Sequence, residues 1–115
     1  MAIKVLIHRK VRPGKEIELN DAVRSLRSRI INAAGYISGE TLRSIEDPSV
    51  HLVVSTWKSV EDWKHWADSP ERKAFQRQTE PLLEAPTHIA FYDYESPVVN
   101  PEEILSRLSS EVEYA

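Results

Sequence analysis

Ile3, Val5 and Ile7 alternate with Lys4, Leu6 and His8, the period of two that marks a strand with one buried face. Pro13-Gly14 breaks the pattern. From Lys15 the apolar positions Leu19, Val23, Leu26, Ile30 and Ala33 then recur at steps of four and three, which predicts an amphipathic helix. Glu16, Glu18 and Asp21 stand early in it, and Arg24, Arg27 and Arg29 late, each sign suited to the helix dipole at its end. Gly35 is the expected stop. Tyr36 to Ile45 and Val50 to Trp57 flank the turn-forming Glu46-Asp47-Pro48-Ser49 and predict an antiparallel hairpin.

Ser59 stands three residues before Asp62, a capping-box spacing, and Trp63, Trp66, Ala67, Pro70 and Ala74 follow at helical intervals. Ser69-Pro70 reads as a cap followed by proline at a first helical position, so two helices meet near Asp68. After Pro86, His88, Ala90, Tyr92 and Tyr94 alternate with Ile89, Phe91 and Asp93, a fourth strand. The order βαββαβ predicts an α+β, ferredoxin-like domain over residues 1–96, an antiparallel sheet with its helices on one face. The other face also carries apolar side chains, and a second copy of the chain is the expected cover. Residues 97–115 read as an extension: Asn100-Pro101-Glu102-Glu103 is a strong helix start, and Ile104, Leu105, Leu108 and Val112 give it a narrow apolar stripe.

Composition narrows the chemistry. The 115 residues suffice for one domain, and with 41% hydrophobic and 29% charged residues they suit a globular protein. No apolar run approaches the ~20 residues of a membrane span, and no secretory signal pattern is present, so no membrane partner and a cytoplasmic location are expected. A net charge of −3 offers no basic footprint for nucleic acid. With no cysteine in the chain, thiolate nucleophiles and cysteine metal sites are excluded. The four histidines, His8, His51, His65 and His88, fall in four different elements without metal-ligand spacing. Neither a metal nor an organic cofactor is expected.

On this element order, Val11-Arg12-Pro13-Gly14-Lys15, Ala34-Gly35-Tyr36, Thr56-Trp57-Lys58-Ser59 and Trp66 resemble the antibiotic biosynthesis monooxygenase family. The similarity covers about Met1 to Glu95. It implies a dimeric α/β barrel of two sheets packed face to face, with a pocket in each subunit between sheet and helices. The family includes cofactor-free oxygenases of aromatic polyketides, haem-degrading monooxygenases and relatives acting on small signalling or quinone-like molecules. In the haem-degrading pattern a histidine follows the tryptophan by ten residues and an asparagine stands on the first strand. Here those positions are Gln76 and Ile7, which can neither ligate haem iron well nor hydrogen-bond a bound oxygen.

Trp66, which the resemblance places on the pocket wall, is therefore a candidate site residue, with Trp63 and Trp57 expected in the core. His8, Trp66 and Gln76 are the catalytic candidates, and Ile7, Tyr36, Arg43 and Trp66 the substrate-binding ones; Tyr92 and Tyr94 carry phenols of the same use. His51 and His88, in phase with apolar neighbours, are expected to be buried and hydrogen-bonded, and His65 exposed. Arg72, Lys73 and Arg77 read as a solvent-facing run. The function implied is a cofactor-independent monooxygenase or oxidoreductase acting on a small aromatic or quinol-like molecule as a homodimer. A dimer that binds a small molecule without turnover, and an isomerase or cyclase, are the alternatives.

Overall fold

The computed structural model describes residues 2–94, so the helix expected after Asn100 and the boundary at residue 96 lie outside the described residues. Strands β1 (Ile3–Lys10), β2 (Tyr36–Arg43), β3 (Val50–Trp57) and β4 (His88–Asp93) form one antiparallel sheet in the order β2-β3-β1-β4. Helix α1 (Glu16–Ile30) joins β1 to β2, and α2 (Val60–Ala67) and α3 (Pro70–Thr79) join β3 to β4. This is the ferredoxin-like α+β arrangement expected from the element order.

Register decides which side chains face the helices. Ile3, Val5, Ile7 and Arg9 of β1 lie opposite Trp57, Ser55, Val53 and His51 of β3, and Cα partners in an antiparallel pair share a face. Ile3, Val5, Ile7 and Trp57 pack with Trp63 and Trp66 of α2 and with Leu26 and Ile30 of α1 into one cluster. Val11, Leu19, Leu82 and Leu83, with Val23 against them, form a second. The residue between Ile7 and Val11 in the buried phase is Arg9, and there the apolar core is interrupted.

Local chemistry fixes the joints. The β2–β3 turn is closed by Val50 N–H to Asp47 O at 2.9 Å and by the Asp47 carboxylate, which accepts from Ser49 N–H at 3.1 Å and Ser49 Oγ at 2.6 Å. Gly35 takes φ +81°, and a Cβ there would collide with the Asp62 carboxylate, so only glycine passes beneath the cap of α2. Ser59 Oγ accepts from Asp62 N–H at 3.1 Å, and Ser69 Oγ from Arg72 N–H at 3.2 Å. The second cap starts a new helix and resets its phase.

Several expectations change as a result. Ala74, expected on the apolar stripe, is exposed, and α3 buries Arg72, Phe75 and Thr79 instead, because its phase is counted from Ser69 rather than carried on from α2. Arg72 is therefore not part of the solvent-facing run, whereas Lys73 and Arg77 are exposed. A bulge at Ile37 lets both Tyr36 and Gly39 face the helices, although residues three apart in a regular strand point to opposite faces. His88 is exposed on the edge strand β4. His88 pairs with His8 on the sheet face away from the helices, where no element among the described residues buries the imidazole.

Candidate functional site

The helix-facing side of β2 carries Gly39 and Thr41, aligned with Ser55 and Val53 of β3. Neither is large enough to fill the space between β2 and α1, so a slot opens there and runs inward between sheet and helices. It encloses about 530 Å³ of atom-free space, part of it open to solvent, of which about 60 Å³ admits the centre of a water molecule. Ile7, Val53, Leu26 and Ile30 give it apolar walls, and Trp63, Trp66 and Phe75 an aromatic end. Arg27 of α1 spans the mouth, donating a hydrogen bond from its guanidinium to Thr41 Oγ1 of β2.

Two further lining residues are charged. Arg9 and Arg72 line the same slot yet are only 4% and 5% exposed. Arg9 occupies the position on β1 that Ile3, Val5 and Ile7 would continue, and Arg72 is turned inward by the Ser69 cap. Both guanidinium groups stand against one ring, Arg9 Cζ at 5.0 Å and Arg72 Cζ at 5.3 Å from the Phe75 centroid. Arg72 Cζ also lies 5.9 Å from the Trp63 ring centre. Among the described residues no carboxylate comes within 4.0 Å of either, and Arg9 Nε is shut from solvent with no acceptor. Burial, and then the charge of Arg72, lower the Arg9 pKa to about 10, and burial lowers that of Arg72. At neutral pH Arg9 still carries its charge.

The neutral donors are as exposed in their need. Among the described residues Trp66 Nε1 is buried without an acceptor, whereas Trp57 Nε1 donates to Ser55 Oγ at 3.1 Å and Ser55 Oγ in turn donates to Val5 O at 3.3 Å. The Tyr36 hydroxyl lies over Gly39, where a Cβ would meet it. Burial raises the Tyr36 pKa, partly offset by Arg27, so its phenol stays protonated and able to donate. The slot thus joins apolar walls to Arg9 Nε and Trp66 Nε1, buried donors with no acceptor among the described residues, and to a second buried cation, Arg72.

Of the residues expected at the site, Ile7, Tyr36 and Trp66 meet in this slot. Trp63, expected in the core, is buried and lines it as well. Trp66 also borders a polar cleft between α2 and the end of α1, shared with Arg29, Asp62 and His65. His8 is exposed on the opposite face of the sheet, across from Leu52 and His88, and Gln76 is exposed on α3. Arg43 is exposed beside His51 in a shallow depression. His51 is buried, and burial, then Arg43 and Arg9, hold its pKa below the ordinary 6.5. The two residues the sequence reading passed over are Arg9 and Arg72. A charged side chain in the buried phase of β1 was the legible signal for the first, and the spacing of three between Arg72 and Phe75, counted from the cap, for the second.

Comparison with known proteins fits this geometry. A family model described as antibiotic biosynthesis monooxygenase matches residues 2–78. The protein SchA of Streptomyces halstedii is 30% identical over 90 residues, 78% of this chain, and a 42.8 kDa protein in the whiE locus of Streptomyces coelicolor is 29% identical over 69. The chain spans only 23% and 17% of the lengths of these two relatives. A conserved protein from Methanosarcina mazei superposes with a TM-score of 0.79 at 22% identity, covering 83% of this chain and 94% of that one. A candidate antibiotic biosynthesis monooxygenase from Caulobacter crescentus gives 0.77 at 23%, covering 83% and 91%. At these identities the structures share the fold.

Proposed function

Because this chain belongs to the antibiotic biosynthesis monooxygenase family, we propose that it binds a small aromatic or quinol-like molecule in the slot and oxygenates it without a bound cofactor. In such a reaction the substrate, once deprotonated, supplies the electrons to O2. A ring-flanked CH2 becomes a carbonyl: one oxygen atom enters the product, and the other leaves as water with the two hydrogens. The protein then needs a dry apolar site and donors placed for the developing oxyanion. The observation that carries this reading is the junction of aromatic walls with the acceptor-free Trp66 Nε1 and the protonated Tyr36 hydroxyl.

The active unit in this reading is a homodimer. Leu6, Leu52, Val54 and Ala90 lie on the sheet face away from the helices, with Leu42 and Tyr92 beside them about half exposed. Among the described residues no element of the chain covers that face. A second copy laid face to face would bury it.

One observation favours the alternative of binding without turnover: none of the four histidines lines the slot, so the usual near-neutral base is missing from its walls. Oxygen uptake with a panel of hydroquinones and anthrone separates the two. Protein-dependent consumption that falls in Trp66→Ala supports oxygenation. Binding of the same compounds with no uptake establishes the alternative.

A further inference from the structure

We infer that the slot takes its ligand as a conjugated oxyanion, a phenolate or an enolate, whose charged oxygen sits between the guanidinium groups of Arg9 and Arg72. The inference deepens the reading of the slot as the substrate site and rests on it.

Two arginines at 4% and 5% exposure with no carboxylate in reach among the described residues are an arrangement that folding alone does not favour. Removing a cation from water is expensive, and a buried one is ordinarily matched by an acid. Here the second buried charge is of the same sign, and Arg72 lowers the Arg9 pKa rather than raising it. The Phe75 ring that both groups stand against and Trp63 beside Arg72 offset part of this through their π faces, but a ring supplies no lone pair for the Arg9 Nε proton. What completes the group is an anion entering from the slot, which both side chains border.

The walls select the rest of the ligand. Ile7, Val53, Leu26 and Ile30 leave a narrow apolar passage, which suits a flat ring system and excludes a strongly hydrated ion such as free phosphate. A carbon acid or phenol bound there ionises more readily than in water, its proton passing to solvent, because two fixed positive charges in a site of low polarity favour the anion. The inference therefore answers the absence of a histidine base. The guanidinium pair lowers the pKa of the substrate, so ionisation requires no neutral base in the wall.

The test compares 4-nitrophenol, whose absorption reports its ionisation, with 4-nitroanisole, which has the same ring and cannot ionise. Both are titrated into the full chain, with tryptophan fluorescence reporting occupancy by either. The expected result is at least tenfold tighter binding of the ionisable probe and a phenolate absorption band at a pH where the free probe is mainly phenol. In Arg72→Met both should vanish while 4-nitroanisole binds as before. The same variant should also unfold at higher urea concentration than the native chain, since it removes an uncompensated buried charge; Arg9→Met is the second variant, with the same two expectations. Equal affinity for the two probes with no phenolate band overturns the inference and leaves the slot a ligand site. Failure of both probes to bind removes the ligand site and the inference together. Phenolate binding that survives both substitutions, with both variants less stable than the native chain, makes the arginines structural and overturns the inference as well.

Discussion

Replacing tryptophan with phenylalanine at positions 57 and 66 makes the same chemical change in two buried places whose hydrogen bonding differs. At Trp57 the indole N–H has an acceptor, Ser55 Oγ at 3.1 Å; at Trp66 it has none. Both side chains are buried, at 0% and 6% exposure, so the smaller ring leaves a void of a few tens of Å³ in each case, worth about 1 kcal/mol at about 24 cal/mol per Å³. Trp57→Phe also loses a net hydrogen-bond contribution of about 0.5–1.5 kcal/mol, for a total loss of about 2 kcal/mol. Trp66→Phe instead removes an unsatisfied buried donor, relieving about 1–3 kcal/mol, and should fall between no change and a gain of about 2 kcal/mol. For a domain of this size the two variants should differ in Tm by about 10 °C or more. Urea and thermal unfolding followed by far-UV circular dichroism measure both. If Trp66→Phe loses as much stability as Trp57→Phe, the Trp66 indole has a partner, and its part in the site as an available donor falls.

Three further outcomes are expected. Gly14 and Gly35 share φ +81°, but a Cβ meets nothing at Gly14 and the Asp62 side chain at Gly35, so both alanine variants should lose about 1 kcal/mol from backbone strain and Gly35→Ala clearly more; equal midpoints in urea would remove the close approach. His51 is held below its ordinary pKa of 6.5, so the unfolded chain binds its proton first and stability should be lost as pH falls through 6.5. His51→Gln should flatten that part of the profile, and an unchanged slope from pH 7 to 5 would refute the shift. Light scattering on the eluting peak should give about twice 13.2 kDa, and a stable monomer at micromolar concentration would leave the outer sheet face without its proposed partner.

The elements were legible because each carries a clean period: two for β1, steps of three and four for α1, and a cap before each of the paired helices. The slot was legible where it rests on those elements, so Ile7, Tyr36 and Trp66, expected together, line one space. What the pattern hid were displacements of phase. The cap at Ser69 turned Arg72 and Phe75 inward in place of Ala74, and the bulge at Ile37 brought Gly39 to the helix side, where its small size opens the slot. Arg9 stood in plain sight within a buried strand phase, but a charged side chain is habitually assigned to solvent, and only the packed structure shows that the chain buries it. His8 and Gln76 came from a face and a spacing that do not reach the slot.

The interruption of the core at Arg9 also divides what the domain packs. Below it Ile3, Val5, Ile7 and the tryptophans form one packed body, and beyond it Val11, Leu19, Leu82 and Leu83 form another, with β1 and α1 contributing to both. Where they meet, the buried guanidinium groups of Arg9 and Arg72 and the Phe75 ring stand in place of a further layer of aliphatic side chains. Because the same strand and helix carry both clusters, a substitution at that junction is felt by each of them.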